Sequence, residues 1–326
     1  MNKERPLLIC MSSTRNYGWV TRAFCEANSR WADYIIIVDQ MSTDDTRAIC
    51  AEYEKVIIVD DPDLSYSETR RSTMALERAR QIEGDKILIY LAIDEVLPAN
   101  WMDTNDGQRI LNSVPTDMFQ LNWANLMPDK KHYRTVSSGE MYRVFHDDNI
   151  TPYYNQNKDM HTHCLPYHFG GAEYDVLDFP ILHFGYYNVM FQYVKLRYYQ
   201  MVDYDKNNRS IISLSRYYNY DVNYRCQDDD LENSSAWFWT DFDIFSLVDL
   251  ESTPALIDEC KKFILEKGVE WYVRLDIWDQ IMLGYLGIED PRSLWIKLLH
   301  GYLHCTRKYK RFIIVRGIDK LLKCIF

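Results

Sequence analysis

The sequence predicts an α/β protein: a mostly parallel central sheet flanked by helices, followed by a helical extension. Two observations predict it. The apolar runs at 7–11, 34–38, 56–59 and 87–91 are continuous rather than alternating, as expected of strands covered on both faces. Between them lie segments with helical spacing at 20–29, 47–54 and 68–81, joined by short polar turns. Strand–helix alternation of this kind is the pattern of a doubly wound sheet.

Taken in order, residues 7–11 read as a buried strand followed by a Ser/Thr/Arg/Asn turn, and 20–29 as a helix. Tyr34-Ile35-Ile36-Ile37-Val38 is a mostly β-branched strand ending at Asp39. The polar stretch from Ser42 to Thr46 is read as the cap of a helix at 47–54. The run 56–59 is a third strand, closed by Asp60-Asp61-Pro62-Asp63, and 68–81 is a long helix. A fourth strand, from Lys86 to Leu91, runs into Ala92-Ile93-Asp94-Glu95. Shorter strands at 118–123, 140–145 and 180–184 suggest antiparallel additions to the sheet. From Tyr186 onward the sequence is helical and aromatic, with a helix at 254–267 stopped by Gly268. The division expected is 1–200 for a ligand-binding domain, 201–294 for a helical extension on the acceptor side, and 295–326 for a basic amphipathic tail.

Composition narrows the function. The 326 residues carry a formal net charge of -11, which argues against nucleic acid as a partner. The charge is uneven: from Lys297 onward there are eight Lys/Arg and one Asp. A basic stretch on an acidic body points to an anionic surface, and its Leu, Ile, Phe and Tyr residues suggest peripheral contact with a bilayer. The eight Cys show no paired spacing, as expected of reduced thiols. Neither a signal-peptide core nor a spanning run is present, so a cytoplasmic protein is expected.

In open parallel sheets, ligands bind at the carboxyl ends of the strands. Two strands here end in carboxylates, Asp39 and Asp94-Glu95. Oxygen ligands at a strand end suit a hard divalent cation, and such a cation or an arginine can neutralise a leaving diphosphate. Arg70 and Arg71, on the intervening helix, supply the cationic type. His161-Thr162-His163-Cys164 places two imidazoles on one strand face, but its spacing matches no common structural zinc pattern.

The segment from Val38 to Thr46 resembles the strand-end segment of glycosyltransferase family two. Leu91-Ala92-Ile93-Asp94-Glu95 resembles the Leu-Asp-Ala-Asp-Glu of that family, which holds its Asp-x-Asp signature. Arg70, Arg71, Tyr142-Arg143-Val144-Phe145, His161 and Leu182-His183-Phe184 resemble other segments of family members, so the resemblance spans about residues 5–200. It implies the A-type glycosyltransferase fold and a nucleoside diphosphate sugar donor, most readily a uridine one. It also implies Mg²⁺ or Mn²⁺ and a saccharide or lipid-linked acceptor, in surface polysaccharide or glycoconjugate synthesis, by direct displacement with inversion. By resemblance, Asp39 with Ser42 would hold the nucleoside, and Arg70 and Arg71 the phosphates. Asp94 would bind metal and donor, with His183 completing the metal shell. Glu95 or His161 would serve at the acceptor, and Glu173 and Asp175 are further candidates for the base.

The sequence departs from the signature at its first Asp, which is Ala92 here. That departure raises a second reading, a catalytically degenerate member acting as a binding or assembly subunit. A sugar nucleotidyltransferase is the weaker rival, because the turn after the first strand, Met11 to Asn16, lacks the Gly-rich phosphate loop that class needs.

Overall fold

The computed structural model describes residues 5–137, 142–153, 162–167, 176–207, 209–219, 232–233, 237–252 and 254–325. The chain divides into two compact units, Met1–Asn188 with Asp228–Ser252, and Val189–Gln227 with Thr253–Phe326. The break therefore falls at residue 188 rather than near 200, and a later segment returns to the first unit.

The first unit is built on a six-stranded sheet. β1 (Leu7–Thr14), β2 (Tyr34–Asp39), β3 (Val56–Asp60) and β4 (Lys86–Tyr90) are all parallel. β6 (Met118–Gln120) and β9 (Tyr142–Asp147) complete it in the order β3-β2-β1-β4-β9-β6, with β9 antiparallel to both β4 and β6. β1, β2 and β4 are buried along almost their whole length, so their side chains need apolar partners on both faces. On one face Leu8 and Cys10 pack with Phe24 and Cys25 of helix α1 (Gly18–Ser29) and with Cys50 of α2 (Thr46–Cys50). On the other, Ile9 and Met11 pack with Ala75, Leu76 and Ala79 of α3 (Glu68–Arg80). The first two crossovers thus lie on one face and the third on the other. The chain reverses its winding between β1 and β4.

A second sheet is ordered β11-β8-β7-β10-β5, from β5 (Glu95–Val96), β7 (Trp123–Leu126), β8 (His132–Val136), β10 (Ile181–His183) and β11 (Glu232–Asn233). The predicted strand at 118–123 is therefore two strands in two sheets, with Leu121 and Asn122 between them. β10 also leaves the central sheet, pairing antiparallel with β5 and parallel with β7. α4 (Asn105–Leu111) is capped by the Thr104 hydroxyl, which accepts from Gly107 N–H at 2.9 Å.

The described part of the second unit is helical. α5 (Val189–Asn207) packs against α6 (Ile211–Tyr218) and against a helix at Leu256–Lys267, which ends at Gly268 with φ +86 as predicted. Helices follow at Gln280–Leu286, Leu294–Cys305 and Ile313–Ile325. The segment 275–279 staples this unit. Leu275, Ile277 and Trp278 are buried, and Asp279 pairs with Arg197 at 2.8 Å.

Candidate functional site

In an open parallel sheet ligands bind at the carboxyl ends of the strands where the winding reverses, which here is between β1 and β4. Register places the predicted carboxylates on that edge. Asp39 sits opposite Thr14 and Tyr90 opposite Met11, so Asp39 and the segment 91–95 flank the end of β1 on the same side of the sheet. With strands about 4.8 Å apart, β2 and β4 lie about 10 Å from each other.

The β1 and β2 ends are tied together by side chain–backbone bonds. Asn16, at φ +58, accepts from Thr43 N–H at 2.7 Å, and its own N–H donates to the Ser42 hydroxyl at 2.8 Å. Asp44 accepts from Gly18 N–H at 2.8 Å, and the Thr46 hydroxyl accepts from Tyr17 N–H at 3.0 Å. The polar run predicted to cap α2 therefore serves both helices: Asp44 Oδ1 accepts from Thr46 N–H, the first residue of α2, at 3.1 Å, while its Oδ2 holds the start of α1. Asp45, at the N-cap position of α2, makes no side-chain cap bond, and α2 is only five residues long.

Asp39 is buried. Its Oδ1 accepts from the Ser42 hydroxyl at 2.5 Å, and its Oδ2 accepts from Ser42 N–H at 3.0 Å and Arg47 at 2.7 Å. Arg47 also meets Asp60 at 2.7 Å. A carboxylate offers about four lone-pair directions, so about one remains for a ligand. Sequence reasoning passed over Arg47; the signal was a strand-end carboxylate with an arginine eight residues on.

Asp94 and His183 are brought together across β5 and β10. The Asp94 carbonyl accepts from Phe184 N–H at 2.8 Å, and the His183 Nε2 lies 3.5 Å from Asp94 Oδ2, a carboxylate almost fully buried. The other ring nitrogen, Nδ1, is 2.6 Å from Asn125 Oδ1. An amide oxygen can only accept, so Nδ1 carries a hydrogen, and in the neutral tautomer this selects the Nε2 lone pair is turned towards Asp94. Two lone-pair atoms facing each other suit a shared cation, and the Asn125 contact is the kind of outer partner that orients a metal-binding imidazole. Gly185 makes this possible, because a Cβ there would sit 2.6 Å from the His183 ring. Among the described residues, no group of three or more His, Cys, Asp or Glu could hold a metal ion, so this pair would need further ligands from a bound substrate and water.

Glu95 faces inward. It accepts from Ala92 N–H at 2.7 Å, the Trp123 indole at 2.5 Å and Arg143 at 3.3 Å. Arg143 is itself buried and lies over the Trp123 ring at 5.1 Å; burial is the largest influence and opposes its charge, but Glu95 with Cys164, Tyr90 and Glu68 together outweigh it and hold the guanidinium above its ordinary value. Three donors on a buried carboxylate make it an organising hub. Its place in the sequence suggested a base; the tell-tale of the hub was Arg143 set between Tyr142 and the apolar Val144-Phe145, since a buried guanidinium demands a carboxylate.

The two arginines separate. Arg70 turns away into the loop after β3, meeting Asp61 at 2.9 Å and Asp63 at 2.9 Å and donating to the carbonyls of Asp63 and Ser65 at 2.7 Å each. Its donors are engaged within that loop, by Asp61, Asp63 and Ser65. Arg71 is buried, stacks over Tyr66 at 4.9 Å, and lies near enough to Tyr90 for its charge to act on that hydroxyl. Burial nevertheless dominates and pushes the Tyr90 phenol far above its ordinary range. Ser13 meets the Tyr90 hydroxyl at 3.0 Å. The buried hydroxyls of Ser12 and Thr14 on β1 have no hydrogen-bond partner among the described residues, and neither was singled out from sequence. His161, Glu173 and Asp175 lie outside the described residues. His163 forms a three-ring cluster with Tyr142 and Tyr167, which also meet each other, and Cys164 beside it is pushed up to about 11 by burial.

No family model and no curated protein matches this sequence. Among solved structures, it is similar to glucosyl-3-phosphoglycerate synthase from Mycobacterium tuberculosis. One crystal of that enzyme, with Mn²⁺, UDP and glucosyl-3-phosphoglycerate, matches at 16% identity and a TM-score of 0.27, over 36% of this chain and 44% of that one. Another, with Mg²⁺ and UDP, matches at 15% identity and a TM-score of 0.27, over 37% and 44%. The chain spans less than half the length of these structures, and a likeness so partial leaves the site to be read from its own residues.

Proposed function

We propose that this protein is an A-type glycosyltransferase that transfers a sugar from a nucleoside diphosphate sugar to a saccharide or lipid-linked acceptor, with inversion. One observation carries the reading: at the switch point of a parallel sheet, a buried carboxylate, Asp94, faces an imidazole lone pair whose tautomer Asn125 fixes. Asp94 and His183 would hold Mg²⁺ or Mn²⁺, which when bound would neutralise the leaving diphosphate. Asp39, at the end of β2, keeps about one acceptor direction for a ribose hydroxyl. Ser12 and Thr14 hold unused hydroxyls at the end of β1. Glu95 positions Asp94 through the backbone of the turn, and Arg71 adds positive charge behind it.

The test is binding before turnover. UDP is titrated calorimetrically with Mn²⁺ and with EDTA, since the partly similar synthase crystallises with that pair, and donor hydrolysis is then measured over a panel of sugar nucleotides. The expected result is Mn²⁺-dependent UDP binding that Asp94→Ala weakens about 10- to 100-fold. Equal binding with EDTA and in the variant would remove the assignment. The second reading, a degenerate binding subunit, rests on Ala92, whose backbone rather than a side chain engages Glu95. Binding without turnover over a broad panel would favour it.

A further inference from the structure

We infer that the helical pair Leu294–Cys305 and Ile313–Ile325 is a docking surface for an anionic phospholipid bilayer, on which it lies flat. The inference is independent of the chemistry at Asp94. Three observations carry it. First, large apolar side chains stand in solvent throughout this stretch: Trp295 is 74% exposed, Phe312 62%, Ile313 85%, Ile314 73% and Ile325 71%.

Second, the helix Ile313–Ile325 is divided by spacing into separate stripes. Val315, Asp319 and Leu322 form the side turned to the protein, where Val315 is buried. Ile314, Ile318, Leu321 and Ile325 recur at four, three and four residues, which sets them on one face. Arg316, Lys320 and Lys323 recur at four and three and form another. Both stripes are exposed.

Third, the stretch is basic. From Lys297 onward, eight Lys/Arg accompany one acid, Asp319, and of the eight Lys297 pairs with Asp290 at 3.2 Å. Asp319 is taken inside the unit by Arg216, at 2.9 and 2.8 Å.

Charge complementarity selects the occupant. Protein interfaces are depleted of lysine, whereas here the exposed apolar stripe shares its helix with a stripe that carries Lys320 and Lys323. Apolar side chains entering the acyl boundary while cations remain at the headgroups is the arrangement of an in-plane amphipathic helix. No helix among the described residues is long and apolar enough to cross a membrane, so the surface lies on the bilayer and does not span it.

The experiment is sedimentation of the full chain with vesicles of phosphatidylcholine alone and of phosphatidylcholine mixed with phosphatidylglycerol, across a salt series. Binding is expected on the mixed vesicles only, falling as salt rises. The combined variant Arg316→Ala, Lys320→Ala, Lys323→Ala should partition about a hundredfold more weakly, from three cations near the surface. Ile314→Ser with Leu321→Ser should lose binding at every salt concentration. Equal binding to both vesicles, or none on mixed vesicles at low salt, overturns the proposal without any variant. So does a stable dimer in lipid-free light scattering that Ile314→Ser with Leu321→Ser converts to monomer, since a second copy would then cover the face.

Discussion

At the residue scale, the charged groups around the strand ends divide into those engaged by the fold and those left facing a ligand. Arg70 belongs to the first kind. It bridges Asp61, which is buried, and Asp63, which is exposed. Arg70→Ala strands the Asp61 carboxylate. Because the arginine is about a quarter exposed, the cost is below that of a fully buried pair, about 1–2 kcal/mol. Urea denaturation checks this, and UDP affinity should move little; a large loss of affinity at unchanged stability would return Arg70 to the phosphates. Glu95 is the sharper case, because both it and Arg143 are almost wholly buried. Glu95→Ala leaves an uncompensated guanidinium and should destabilise by about 3–5 kcal/mol. A variant that folds with unaltered stability but loses transfer would instead make Glu95 the base.

At the element scale, the site depends on where strands end and which sheet they join. β10 carries His183 to the end of β4 only because it pairs with β5. The turn after it requires a glycine for a specific reason: any Cβ at 185 meets the imidazole. Gly185→Ala should therefore displace the ring from Asp94 and weaken Mn²⁺-dependent UDP binding about 10- to 100-fold, with only a small change in melting temperature. Parallel calorimetry and thermal melts decide it; unchanged binding would show that His183 is dispensable. Helix α2 teaches a related point. Its sequence has a cap-rich start, yet of that run Asp44 divides its carboxylate between Thr46 N–H of α2 and Gly18 N–H of α1, and the Thr46 hydroxyl bonds across to the start of α1. Local side-chain capping competes with tertiary partners for the same oxygens.

At the scale of the molecule, the second unit is held by a buried charge cluster around Asp276. Burial alone would raise this carboxyl, but His304 at 2.7 Å, the nearby His300 and the Ser215 hydroxyl at 2.8 Å hold it well below the carboxylate range. His300 is lowered, first by burial and then by the Arg292 charge acting against the attraction of Asp276. Its Nε2–H donates to the Arg274 carbonyl at 3.1 Å and its Nδ1 accepts from Arg292 at 3.0 Å, so protonation would set an N–H against a guanidinium. A histidine depressed on folding is protonated first in the unfolded chain. Its contribution is present above the unfolded value of 6.5 and is lost as pH falls through it. The melting temperature should decline as pH falls from about 7 to 5. His300→Gln, which keeps the donor to Arg274, should flatten that slope; an identical slope in the variant would place the titration elsewhere.

The sheet and its crossovers were legible from the residues, because doubly covered parallel strands leave short, uninterrupted, largely β-branched apolar runs closed by polar turns. β1, β2, β3 and β4 were legible in order, and with them the edge to which Asp39 and Asp94 belong. Only the tertiary structure decided what each charged side chain meets there. Arg70 turns to Asp61, Arg47 reaches Asp39, Arg143 supports Glu95, and His183 arrives beside Asp94 from nearly ninety residues away. The physical reason is range. Backbone periodicity is set within a few residues, whereas a buried charge takes whichever opposite charge or donor the packing brings within about 3 Å.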